Sequence, residues 1–109
     1  MKVWQVNLSS AATADMRGIR DYIVQEYGDI ATAESVLDEI ENAFDALTVM
    51  PYAHRLHPQS QLEKRSIRYV ATQSYVVLYS VDKAQQTVLV HRIVHHHQNA
   101  KTLDINSEG

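Results

Sequence analysis

The side chains best suited to proton or metal chemistry lie in the second half of the sequence. All six histidines are found there, and His91, His95 and His97 alternate along a segment that predicts a strand. An imidazole with an unperturbed pKa of about 6.5 suits proton transfer, so His95 is a candidate general base. Clustered imidazoles also bind zinc or nickel, but the chain contains no cysteine, and residues 88–98 contain no Asp or Glu. We therefore predict no metal site and no cofactor.

Arginine and tyrosine side chains accompany the histidines on the predicted strands. Arg68 and Arg92 could contact phosphate groups or a partner from an open sheet face. They could equally be solvated strand residues paired with the acidic first half of the chain. Three tyrosines could stack on nucleic acid bases or pack within the sheet, namely Tyr69, Tyr75 and Tyr79.

The charges divide the chain into an acidic half and a basic half. Residues 9–50 contain two arginines and nine acidic residues, a net charge of −7. Residues 51–101 contain seven lysines or arginines and two acidic residues, a net charge of +5, and the whole chain has a formal net charge of −3. The basic half could face a phosphate backbone or an acidic partner, or the two halves could neutralise each other in the folded protein.

Length and composition predict one compact domain. A chain of 109 residues with 45% hydrophobic residues can form a single core but is too short for two ordinary domains. We assign residues 1–99 to this domain and residues 100–109 to a polar C-terminal tail. The absence of cysteine excludes disulfides and thiol catalysis. The N-terminus offers no apolar run long enough for a signal peptide or a membrane span, so we expect a cytoplasmic protein without a membrane partner.

The first half of the sequence predicts a strand and two amphipathic helices. Trp4, Val6 and Leu8 alternate with Gln5 and Asn7, which is the pattern of a half-buried strand. A serine pair then provides a helix N-cap, and an apolar stripe follows at helical spacing: Ala12, Met16, Ile19, Ile23 and Tyr27. A Gly-Asp pair ends this helix and begins the next, which a proline terminates and whose apolar stripe is Ala33, Leu37, Ile40, Phe44 and Leu47.

The second half of the sequence predicts three strands joined by short turns. Residues 65–72, 75–81 and 87–95 are rich in Val, Ile and Tyr, and residues 52–64 predict a loop that precedes them. Short connections imply antiparallel pairing, so these strands should form a meander. The predicted fold class is therefore α+β, in the order strand, helical hairpin and three-stranded antiparallel meander (βααβββ), with the hairpin covering one face of the sheet.

This order and several segments together resemble the RelE/ParE superfamily of type II toxin–antitoxin toxins. The resemblance runs from about residue 6 to residue 99. It includes DMRGIRDYI at residues 15–23, the Ala-rich second helix ending in ALTVMP, YVVLY at residues 75–79 and VHRIVH at residues 90–95. The order and spacing of these segments carry the resemblance. It implies a toxin that arrests growth, is neutralised by a cognate antitoxin protein and can contribute to plasmid stabilisation.

The superfamily resemblance leaves two targets to decide between. RelE-like members cleave messenger RNA on the ribosome with a basic sheet face, and ParE-like members poison DNA gyrase without a catalytic constellation. If this chain were RelE-like, the matching catalytic candidates would be Arg65, Arg68, Arg92 and His95.

Several features favour the ParE-like branch. Phosphoryl chemistry needs converging cations, but the loop and second strand provide few lysines and arginines, among them Lys64, Arg65 and Arg68, and the last strand ends in histidines. The net acidity of the chain also disfavours competition for a site within ribosomal RNA. We therefore favour a gyrase inhibitor that blocks replication and has no catalytic residue. The alternative is a RelE-like ribosome-dependent mRNA endoribonuclease.

The resemblance also implies two kinds of contact surface. Antitoxins of this superfamily dock on the outer edges of the helices, and an acidic hairpin with an apolar rim would suit a helix that carries Lys and Arg. The predicted antitoxin-binding residues are Ile19, Ile23, Leu37, Asp38, Glu41 and Phe44. The candidates for target binding are Arg68, Tyr79, Arg92, His95 and His97.

Overall fold

The computed structural model describes residues 3–56 and 66–96 of the chain. It contains strand β1 (Gln5–Leu8), helices α1 (Ser10–Tyr27) and α2 (Ile30–Leu47), and strands β2 (Arg68–Ala71), β3 (Tyr75–Asp82) and β4 (Thr87–His95). This order confirms the predicted α+β fold of a strand, a helical hairpin and three further strands. Lys64, Arg65, His97 and the predicted polar tail lie outside the described residues.

The helical hairpin is defined by the capping residues that the sequence predicts. The Ser9 hydroxyl accepts a hydrogen bond from the Ala12 N–H at the start of α1. Gly28 ends α1 with a φ of 61°, a left-handed conformation that favours glycine. The Asp29 carboxylate then accepts hydrogen bonds from the Thr32 hydroxyl and the Ala31 N–H, and these bonds lower its pKa. The hairpin turn therefore follows directly from local sequence.

A four-stranded sheet in the order β1-β4-β3-β2 lies beneath the hairpin. β2 pairs with β3 and β3 with β4 in antiparallel fashion, which confirms the predicted meander. β1 joins the sheet next to β4 and runs parallel to it, with Leu8 opposite Val90. β2 is shorter than the strand predicted over residues 65–72, because its regular pairing with β3 extends only from Arg68 to Ala71.

The main core lies between the hairpin and one face of the sheet. Its buried helix residues include Ala12, Ile19, Ile23, Ala33, Ile40 and Leu47. They pack against sheet residues that include Val77, Tyr79, Val88, Val90 and Ile93. Each fully buried aliphatic side chain of this kind contributes roughly 1.5–3 kcal/mol. Tyr27, predicted on the same stripe, is instead 67% exposed, because it is the last residue of α1 and lies beside the Gly28 turn.

The other face of the sheet also carries a buried apolar cluster. Ile67, Val76, Leu78 and Val94 form this cluster, with Tyr69 packed against it. Val76 and Leu78 alternate along β3 with residues of the main core, so β3 is buried on both faces. This explains why residues 75–79 form an uninterrupted apolar run. Neither of the two helices in the described part of the chain is long and apolar enough to cross a membrane.

Candidate functional site

The end of β4 that carries Arg92 and His95 is held by the start of α1. β1 ends at Leu8, opposite Val90. Residues that follow β1 then provide the hydrogen-bond partners for the backbone of β4. The Ser9 N–H donates to the Val90 carbonyl at 2.9 Å, and the Ser9 hydroxyl donates to the His91 carbonyl at 2.8 Å. The same serine that caps α1 therefore fixes the helix against the last strand.

Asp15 of α1 continues this connection and neutralises Arg92. Its carboxylate accepts the Arg92 Nε–H at 2.8 Å and an Arg92 Nη2–H at 3.0 Å, a two-pronged ion pair. It also accepts the Ile93 backbone N–H at 2.9 Å. The side chains of Arg92 and Asp15 are 24% and 15% exposed. The sequence does not reveal this role of Asp15, because its partner Arg92 is 77 positions away along the chain.

His95 lies at the edge of an aromatic groove near this ion pair. Its ring meets the Tyr75 ring edge to face, with 5.2 Å between the ring centroids. The groove has a volume of about 580 Å³, and the residues that line it include Gly18, Tyr22, Tyr75, Arg92 and His95. Burial raises the pKa of Tyr75, and the hydroxyls of Tyr22 and Tyr27 raise it further. This groove brings together two of the candidates for target binding, Arg92 and His95.

Arg68 lies far from that groove, towards the opposite end of the sheet. It is paired with Tyr79 on β3, whereas His95 is paired with Tyr75, four residues away. Four residues of a strand span about 13 Å, so one phosphate group cannot contact both side chains. The Arg68 guanidinium donates to the His54 carbonyl at 2.7 Å and lies over the Tyr52 ring at 5.2 Å from its centroid. Its half-buried side chain thus anchors residues 52–54 to β2.

His91 departs from the predicted alternation with His95. The register of β3 and β4 shifts between Leu78 and Tyr79, because an extra residue is accommodated in β4. His91 is buried, with its Nε2 2.8 Å from the Ser80 hydroxyl, whereas His95 lies beside Tyr75 on the face covered by the helices. The alternation of these histidines along a strand predicts that they share one face of the sheet. This prediction is wrong for His91 and His95, which lie on opposite faces. Residues 3–56 and 66–96 contain no group of three possible metal ligands.

Tyr79 was a candidate for target binding, but the structure places it in the core. Its side chain is fully buried, and its hydroxyl donates to the Pro51 carbonyl at 2.7 Å. Burial raises the pKa of Tyr79 to about 12, although the nearby Arg68 acts in the opposite direction. A fully buried side chain cannot contact a target, so this part of the prediction is corrected.

The predicted antitoxin-binding residues separate into buried and accessible members. Ile19 and Ile23 face the main core and are 8% and 4% exposed. Leu37 and Phe44 are half-buried, whereas Asp38 and Glu41 are exposed. A shallow groove of about 560 Å³ between the helices is lined by Met16, Arg17, Arg20, Glu34, Leu37, Asp38 and Glu41. We call it the hairpin groove. It unites three of the six predicted residues, namely Leu37, Asp38 and Glu41.

The chain and its fold resemble known proteins. Residues 6–100 match the family described as the ParE toxin of type II toxin–antitoxin systems, parDE. No curated protein sequence matches the chain. The fold is similar to a chain of the toxin–antitoxin complex RelBE2 from Mycobacterium tuberculosis, with a TM-score of 0.60 and 20% identity over 85% of this chain and 98% of that one. It is also similar to a chain of the chromosomal ParDE toxin–antitoxin system from P. aeruginosa, with a TM-score of 0.69 and 17% identity over 85% of this chain and 96% of that one.

The matched part of the chain contains the two groups of residues described above. The family match spans the region from β1 through β4 and includes both the hairpin groove and the Asp15–Arg92 pair. The two structural likenesses show the same fold at low sequence identity. The chain belongs to the ParE toxin family, within the RelE/ParE superfamily of type II toxin–antitoxin toxins.

Proposed function

We propose that this toxin acts on DNA gyrase and thereby blocks replication, and that a cognate antitoxin neutralises it. The observation that carries the proposal is the dispersal, within residues 3–56 and 66–96, of the groups that an RNA-cleaving toxin would need. Arg68 lies about 13 Å along the sheet from the level of His95. Arg92 is near His95, but its positive charge is matched by the Asp15 carboxylate. Protein recognition does not require these groups to converge.

The alternative is ribosome-dependent cleavage of messenger RNA. Attack by a ribose 2′-hydroxyl needs a group that accepts its proton and cations that stabilise the charge on the phosphorane. In the described residues, His95 could accept a proton, but the nearest cationic candidate is already paired with a carboxylate. The formal net charge of −3 also weakens attraction to ribosomal RNA. Both observations support a protein target.

We expect expression of the toxin alone to arrest growth with DNA damage and altered supercoiling. Co-expression of its cognate antitoxin should restore growth. The direct measurement is inhibition of supercoiling by purified gyrase, run in parallel with a message-cleavage assay on programmed ribosomes. Harmless accumulation of the folded toxin in cells, together with unimpaired gyrase, would rule out the proposal.

The hairpin groove is the surface that we propose for the antitoxin. α2 contains five acidic residues and no lysine or arginine. Of the acids that line the groove, Glu34, Asp38 and Glu41 are exposed beside the half-buried Leu37. Arg17 and Arg20 line the α1 side of the groove, so the acidic charge is confined to its α2 side. A partner helix with an apolar stripe and with Lys or Arg residues facing α2 matches both the shape and the charge of this surface.

The double charge reversal Asp38→Lys and Glu41→Lys should weaken antitoxin binding at least roughly tenfold. Each reversal removes an attraction worth up to about 1 kcal/mol and introduces a repulsion. Binding of the native pair should also weaken as salt increases. Calorimetry at low and high salt measures both effects.

The double reversal Asp21→Lys and Glu26→Lys is the matched control for this experiment. These two residues are exposed on α1, do not line the hairpin groove, and give the same change in net charge. Affinity should change little in this control. Equal losses in the two double variants would mean that overall charge, and not the groove, governs binding.

A further inference from the structure

Exposed apolar side chains are concentrated where the C-terminal end of α2 meets the start of β1. Val3 is 65% exposed, Val49 48%, Met50 62% and Tyr52 48%. Trp4 is half-buried among them. We call these five residues the base patch. Large apolar residues gathered on the surface of a small domain commonly mark an interaction site.

The base patch is held in place by contacts near both edges of the sheet, at the start of β1 and at β2. The Trp4 N–H donates to the Thr48 carbonyl at 2.7 Å, and the Trp4 and Tyr52 rings meet edge to face at 5.7 Å. On the other side, the Arg68 guanidinium covers the Tyr52 ring and donates to the His54 carbonyl. A surface fixed in this way loses little conformational entropy when it binds a partner.

The charge on the β2 side of the base patch is opposite to that of α2. Residues 48–56 and 66–72 contain Arg55 and Arg68 but no Asp or Glu, whereas the exposed Asp45 precedes the patch by one turn at the end of α2. Arg55 is exposed, and its backbone carbonyl accepts the Tyr69 N–H at 3.0 Å, which ties it to β2. A basic helix suited to the acidic α2 would be repelled here. The two surfaces therefore call for two different partners.

We infer that the base patch docks the toxin onto its target protein, at a site where an apolar pocket is edged by acidic residues. This inference rests on the proposed function and names the surface through which it would act. Aromatic residues, Met and Arg are enriched at protein interfaces, and Trp, Tyr and Arg dominate their hot spots, so Trp4, Met50 and Tyr52 beside arginines fit such a site.

A nucleic acid fits this surface less well than a protein does. Base stacking needs an open aromatic face, and Arg68 already covers one face of Tyr52. Val49 and Met50 offer nothing that pairs with a phosphate or a base edge. The net charge of the chain is negative, which also weakens long-range attraction to a polyanion.

The inference is tested with Met50→Asp and Arg55→Glu, two changes at exposed positions. Each should raise the toxin concentration needed for half-inhibition of purified gyrase by roughly 30-fold, the size of a hot-spot loss. The melting temperature and the affinity for the antitoxin should stay unchanged. Ile30→Asp is the matched control, since Ile30 is 55% exposed at the other end of α2, which is about 27 Å long. An acidic residue at the start of a helix is also well tolerated.

Several results would overturn the inference. One is inhibition of gyrase by both variants at the same concentration as the native toxin, and another is loss of antitoxin binding while inhibition persists. Loss of single-stranded DNA or RNA binding in the same variants, measured by fluorescence anisotropy, would assign the surface to a nucleic acid. If the native toxin leaves gyrase unaffected, the proposed function fails first, and growth arrest in cells then decides whether Met50→Asp and Arg55→Glu remove toxicity.

Discussion

Asp15→Ala is expected to lower the free energy of unfolding by about 2–3 kcal/mol. The change removes three hydrogen bonds at once and takes the carboxylate away from Arg92, whose side chain is only 24% exposed. It also deprives the Ile93 N–H of its acceptor at the point where β1 no longer covers β4. Since small domains are stable by only about 5–15 kcal/mol, this loss should be plain in urea or thermal unfolding.

Two further variants separate the contributions of Asp15. Asp15→Asn retains an oxygen that can accept the Ile93 N–H but loses the charge, so it should fall between the native protein and Asp15→Ala. Asp21→Ala removes an exposed acid from the same helix and should change stability by less than about 0.5 kcal/mol. Equal stability of Asp15→Ala and Asp21→Ala would show that the carboxylate does not hold α1 to β4.

His95→Ala should leave gyrase inhibition within about threefold of the native toxin. In a nuclease that uses His95 as its general base, the same substitution should reduce the cleavage rate by about 10² to 10⁴. His95 contacts Tyr75 at the rim of the aromatic groove, so its removal should cause only a modest loss of packing. The two mechanisms therefore predict effects that differ by orders of magnitude.

The experiment compares His95→Ala with His96→Ala in both assays. His96 is the exposed neighbour, with its Nε2 3.0 Å from the Thr72 carbonyl, and it controls for general disturbance of the strand end. Ribosome-dependent cleavage that His95→Ala abolishes and His96→Ala preserves, with supercoiling unaffected by the native toxin, would establish the RelE-like alternative.

The parts of the fold that depend on near neighbours were predictable from sequence. Ser9, Gly28 and Asp29 define the ends of the helices through contacts within four residues, so residue type and spacing suffice. Short connections likewise determine the antiparallel order of β2, β3 and β4. The parallel pairing of β1 with β4 was not predicted, because it joins segments at opposite ends of the chain and leaves no local pattern.

The site was less predictable than the fold, because side-chain contacts across the sheet decide it. A one-residue register shift between β3 and β4 places His91 and His95 on opposite faces of the sheet, and no sequence pattern predicts such a bulge. Residue type alone also does not predict burial, because Tyr79 is fully buried whereas Tyr52 is 48% exposed. Asp15 and Arg92 are 77 positions apart, and only the folded chain brings them together.

The pairing of β1 with β4 also has a consequence for the time course of folding. The hairpin contacts are local and can form as soon as α2 has been synthesised, whereas the Ser9 hydroxyl reaches a carbonyl 82 positions later in the chain. The closing of the sheet must therefore wait until nearly the whole described domain has been made. We expect a nascent chain to form its acidic hairpin early and to complete its sheet last, which gives this toxin a high contact order for its size.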